Sequence, residues 1–319
     1  METRLELALV CDPHSGLSQF SLPIIQNRTQ RLIWNFLESA AFVGEEFLLE
    51  ALLRRGFLAY RDQEGLWLGT GSHRSDASVL QLVPGLASVL VHNHFDRYCR
   101  ISFVGTDPHT SSEIARAIIF LGEHHVGPEC GGFSCFGLGY EATNDYSWQN
   151  YCWIFWGAQV AVCPAKSLRQ SPVQDALDIG IALLVKTLPL AGVVTALSCD
   201  GHGIKPAYIS FYFNWDRCWC QSVLSALSHN PLHSEWEWGN QLKIHPKNGY
   251  GDESVTLMLE DIQQCARRFL ESEIIHKIHD ARRATLSAFP QTGAGPTFDE
   301  FREEAIRQLK FQFGQAAEQ

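Results

Sequence analysis

The links between its β-prone runs constrain this chain most, because they are too short to carry a crossover. Phe57-Leu58-Ala59-Tyr60 and Leu66-Trp67-Leu68, within residues 57–69, flank the turn Asp62-Gln63-Glu64-Gly65. A link of that length joins antiparallel strands, whereas parallel strands need a dozen or more connecting residues. Residues 86–93 and 98–104 are a second β-rich pair, again separated by a short polar link. Helical patterns occupy other stretches. The expected fold is therefore α+β, with antiparallel hairpins mixed with separated helices and a helical C-terminal region, rather than a doubly wound sheet.

The helices are read from apolar spacing and end signals. Leu32, Ile33, Phe36, Leu37 and Ala40 share one face over residues 27–40. A second helix over 45–55 stops at Gly56, which suits a left-handed terminal position. A third spans 110–121, capped by Thr110 or Ser111, with His124-His125 beyond its end. A glycine-rich loop fills 127–139 and a strand region 151–163. Ser171-Pro172 then opens a helix to about Leu188. Strands follow at 193–198 and 207–213, a helix at 216–227 and a strand at 236–245. One long helix covers 254–286, with Met258, Ile262, Cys265, Phe269 and Ile278 as its apolar stripe. The last helix, 297–313, begins with a capping box from Thr297 to Glu300.

Three regions result: a mixed α/β region over 1–289 with a sub-boundary near 165–172, a Gly/Pro linker over 290–296, and an amphipathic helix in 297–319. With 319 residues, 45% apolar and 19% charged, the chain has the composition of a folded globular protein. A net charge of -10 argues against general binding to a phosphate backbone. The basic pairs Arg267-Arg268 and Arg282-Arg283 sit in an acidic helical region and read as a solvated face. The start carries Glu2, Arg4 and Glu6 and no apolar run of signal length. Residues 179–188, the longest apolar stretch, are broken by Gly180 and Lys186 and too short to span a membrane. The expectation is a soluble cytoplasmic protein whose ten cysteines are mostly free thiols.

Chemistry concentrates at Ser198-Cys199-Asp200-Gly201-His202-Gly203, a turn at a strand end. Cys199 there is a candidate nucleophile with His202 as its base. Cys199 and His202 also have a usable zinc half-site spacing, and Asp200 with His202 is a candidate acid/base pair. The bland alternative is a glycine-rich turn around a buried cysteine. His92 and His94 alternate on one strand and are further candidate metal ligands, with Asp96 and Asp107 near enough in sequence to orient them. Glu123, His124, His125, Cys130 and Cys135 form a looser cluster, for which a surface loop is the favoured reading. Cys218 and Cys220, two apart on a helix, and most of the nine tryptophans read as core.

The leading reading is an enzyme, a hydrolase or group transferase, acting on a small-molecule substrate through a thiol or zinc site at Cys199, Asp200 and His202. Two others stand beside it. One is an interaction protein binding a partner or second copy through its C-terminal helices, with Phe298, Phe301, Leu309 and Phe313 on the apolar face. The other is a small-ligand sensor with aromatic walls.

Overall fold

The computed structural model describes residues 28–40, 42–68, 83, 86–92, 97–103, 108–120, 148, 177–193, 195–211, 213–227, 230–290 and 294–314. Its first half opens with α1 (Arg28–Ser39) and α2 (Glu45–Arg55). Gly56 caps α2 in the left-handed conformation, φ 95, and its N–H bonds back to Leu52 and Leu53. β1 (Ala59–Asp62), β2 (Gly65–Leu68), β3 (Leu86–His92) and β4 (Arg97–Phe103) form an antiparallel sheet in the order β1-β2-β4-β3. Both hairpins are those expected. Asp62 pairs with Gly65, and the Asp62 carboxylate accepts the Glu64 N–H at 2.8 Å inside the turn. α3 (Pro108–Ile119) packs on α2. It begins two residues before the expected start, so Thr110 and Ser111 lie inside the helix rather than capping it. Proline is well suited to a first turn because its missing N–H would have no partner there.

The second half carries a second antiparallel sheet: β5 (Thr195–Cys199), β6 (Ala207–Phe211), β7 (Ser234–Trp238) and β8 (Gln241–Pro246), in the order β5-β6-β8-β7. The single strand expected over 236–245 is instead the β7–β8 hairpin, turning at Gly239 and Asn240. Its helices are α4 (Ala182–Thr187), α5 (Asn214–Ala226), α6 (Asp252–Arg268), α7 (Ser272–Ser287) and α8 (Phe298–Gln312). Residues 177–181 are not helical, so α4 is much shorter than the helix expected to end at Leu188, and a 3₁₀ turn over Leu188–Ala191 extends it.

The long helix expected over 254–286 breaks at Phe269–Glu271 into α6 and α7. The apolar stripe is continuous across the break: Met258, Ile262, Cys265, Phe269 and Ile278 are all buried. The two halves cover different surfaces. α6 packs on α4, β7 and β8, and α7 packs on α8. A change of axis lets one amphipathic pattern serve two neighbours.

The basic pairs are solvated only in part: Arg283 is exposed and Arg267 and Arg268 are half-buried. Arg282 is buried, its guanidinium 5.1 Å from the Trp219 ring centre and 3.6 Å from Asp216. Arg267 pairs with Glu50 of α2 at 2.5 Å. Trp34, Trp67, Trp148, Trp215 and Trp219 are buried, as are Cys218 and Cys220, matching the core reading.

The capping box forms as expected: Thr297 and Glu300 satisfy each other's backbone N–H groups. α8 lays Phe301, Ala305 and Leu309 against α5 and α7, while Phe298 remains 42% exposed. Much of the helix's apolar face is thus covered within the chain. Among the described residues no helix is long and apolar enough to cross a membrane. Residues 165–172, the glycine-rich loop and the strand region 151–163 lie outside the described residues.

Candidate metal centre

β5, at the end of the sheet order among the described residues, ends at Cys199, opposite Tyr208 of β6. The chain then makes a tight turn in which Gly201, His202 and Gly203 have φ of 73, 52 and 71. Three consecutive left-handed residues reverse the chain at once, and glycine at the two outer positions leaves only histidine strained. Histidine is among the non-glycine residues that tolerate this region best. The turn folds His202 back over Cys199, with the imidazole Nε2 3.7 Å from the thiol Sγ and Nδ1 3.4 Å from Asp200 Oδ1.

Asp200 is fully buried beneath the turn. Its Oδ1 accepts the His202 N–H at 2.7 Å, and its Oδ2 accepts the Gly180 N–H at 3.2 Å. Gly180 is required by space: a Cβ there would lie 2.7 Å from Leu259 Cδ2 and 2.9 Å from Asp200 Oδ2. Two residues earlier, buried Asp178 accepts the Asp200 N–H at 3.0 Å through its Oδ2. The Gly201 N–H points to Sγ at 3.4 Å. Backbone N–H groups thus hold both carboxylates in place.

One ligand atom from each of Asp178, Cys199, Asp200 and His202 lies within 4.8 Å of the other three. Donors around a tetrahedral zinc ion are separated by roughly 3.3–3.8 Å, so small side-chain movements suffice to close the set. Three of the four residues are buried, and His202, with a 46% exposed side chain, is the open flank.

The electrostatics are those of concentrated acid groups. Burial, and then the Asp178 charge, push the Asp200 carboxyl up from 3.8 to about 6. Burial, with both carboxylates adding to it, pushes the Cys199 thiol up from 9.0 to about 11. A divalent cation among these groups would reverse both shifts, because it favours every ionised form. The mixed sulfur, nitrogen and oxygen donors suit a zinc-class ion and disfavour magnesium or calcium, which take oxygen ligands.

The candidate residues Cys199, Asp200 and His202 are therefore brought together. His92 ends β3 opposite Arg97, but its side chain lies outside the described residues, as do His94, Asp96, Asp107, His124, His125, Cys130 and Cys135. Sequence reasoning missed Asp178. Its signal was an acid set among Leu177, Ile179 and Ile181, where an unpartnered charge would be costly. Comparison with protein-family models, with curated proteins and with solved structures finds no match to this chain.

Proposed function

We propose that this protein is a metal-dependent hydrolase or group transferase whose zinc-class ion is held by Asp178, Cys199 and His202. In this reading Asp200 orients the imidazole. Both Asp200 oxygens already accept backbone N–H groups, and Oδ1 also faces His202 Nδ1. A carboxylate behind a ligating histidine fixes the ring and raises its basicity. Three protein ligands leave a coordination position free, which is the pattern of catalytic rather than structural zinc sites. The half-exposed flank at His202 gives a small substrate a route to that position. Bound there, the ion supplies Lewis acidity toward the substrate.

The observation that carries this reading is the convergence of four ligand atoms, one contributed from a separate segment at Asp178. Elemental analysis tests it. Purified protein should carry about one zinc per chain, lost in Cys199→Ala and in Asp178→Asn. Hydrolysis of p-nitrophenyl esters or phosphates should fall on chelation and return with added zinc. Absence of metal from wild type, with no binding of added zinc, removes the reading.

The 3.7 Å contact between Cys199 Sγ and His202 Nε2 favours a second reading, a thiol nucleophile with an imidazole base. Against it stands the thiol's upward shift, since reactive cysteines carry lowered values. Rapid, selective alkylation of Cys199 in metal-free protein at neutral pH would support the thiol over the metal.

A further inference from the structure

His202 differs from the other residues of the centre. Asp178, Cys199 and Asp200 are buried and fixed by their surroundings, whereas the imidazole is half exposed and sits on a strained turn. Packing does not immobilise it, so its position depends on what holds the backbone of 201–203. On the N-terminal side the hold is the Asp200 carboxylate, which accepts the His202 N–H. On the C-terminal side it comes from α1. Arg28 Nη1 donates to the Gly203 carbonyl at 2.6 Å. The rest of the guanidinium is anchored: Nη2 donates to the Tyr250 carbonyl at 2.8 Å, and Nε donates to Asp252 Oδ1 at 2.9 Å, at the start of α6. The stem of Arg28 also flanks the turn, because a Cβ on Gly203 would meet Arg28 Cδ at 3.4 Å and Val255 Cγ1 at 3.6 Å.

We propose that Arg28 is a positioning residue, which holds the Gly201-His202-Gly203 turn so that the imidazole meets the metal. This role rests on the metal reading above. The planar fork suits the task, because it reaches three acceptors on two segments with one rigid group. Its charge is paired with Asp252, so the expected influence on the centre is geometric, through the Gly203 carbonyl. A residue that merely stapled α1 to α6 would act on folding alone and leave the affinity of the folded protein untouched.

The test uses the full chain stripped of metal, with zinc affinity measured by competition against a chromophoric chelator and cobalt(II) absorption reporting ligand geometry. Arg28→Ala should keep the wild-type stoichiometry, weaken zinc binding by about tenfold or more and change the cobalt ligand-field bands. Arg28→Gln keeps part of the stem and a donor, and gives the same comparison if Arg28→Ala does not fold. Wild-type affinity and an unchanged cobalt spectrum in a folded Arg28 variant overturn the positioning role while leaving the metal centre standing. Failure of wild type itself to bind zinc or cobalt removes the centre and this role together.

Discussion

Asp178 accepts the backbone N–H of Asp200 at 3.0 Å, so two buried carboxylates twenty-two positions apart are tied into one unit. In the metal-free protein that unit is electrostatically costly, and the pH dependence follows from it. The Asp200 carboxyl sits at about 6 when folded, against 3.8 ordinarily, first through burial and then through Asp178. A raised carboxyl binds its proton more tightly in the folded chain. Its contribution to stability is therefore complete below about pH 4 and is lost as pH rises through about 6. A shift of this size corresponds to a loss on the order of 3 kcal/mol. Bound zinc reverses the sign by favouring the carboxylate. Thermal melts at pH 5 and pH 7.5, with chelator and with zinc, should show the metal-free protein less stable at the higher pH and the zinc-induced gain larger there. A gain independent of pH would separate Asp200 from the metal.

The thiol makes a second prediction. With Cys199 pushed up to about 11 by burial, the metal-free protein at pH 8 holds about a thousandfold less thiolate than thiol at this position. Iodoacetamide should label Cys199 slowly, as read by peptide mass spectrometry, and His202→Ala should not slow it further. A labelling rate above that of free cysteine, lost in His202→Ala, is the outcome that favours a thiolate–imidazole pair.

Gly180 links the two carboxylates to α6, and its tolerance can be stated in advance. An alanine Cβ would fall 2.7 Å from Leu259 Cδ2 and 2.9 Å from Asp200 Cβ. Overpacking of this kind costs about 1–3 kcal/mol, and the strain falls on the ligand-bearing segment. Gly180→Ala should lower the urea midpoint and weaken zinc binding together. A surface change such as Glu235→Ala should move neither.

How much of this was legible from the sequence follows from the range of each signal. The hairpins at 59–68 and 86–103 were visible because turn chemistry is local, and so was the Thr297–Glu300 capping box. The clustering of Cys199, Asp200 and His202 was visible because one turn carries all three. Asp178 was not, since its place depends on a segment folding back so that Gly180 contacts Asp200. The break at Phe269 was also hidden: apolar periodicity continues through it, and only the separate neighbours of α6 and α7 explain the change of axis. Gly239-Asn240 did announce the β7–β8 turn, but β-prone residues on both sides read as one run. Arg282 looked solvated because periodicity reports apolar faces and says nothing of a guanidinium buried over Trp219.

The C-terminal helix allows a final prediction, which decides whether it belongs to the core or is an appendage. Phe301 is fully buried, with ring centres 5.4 Å from Trp215 and 5.7 Å from Trp148, and Phe289 lies edge-on to Trp148. α8 thus closes an aromatic cluster built from Trp215 of α5, Phe289 just after α7, and Trp148. Phe301→Ala should cost about 3–5 kcal/mol, the range for a large buried aromatic. Thr297→Ala, which removes the cap, should cost about 1 kcal/mol. Ending the chain at residue 296 uncovers the whole cluster, so the truncated protein should unfold at much lower urea or aggregate. If instead it keeps the full-length midpoint, α8 contributes little to the fold, and its apolar face is free to serve a partner or a second copy of the chain.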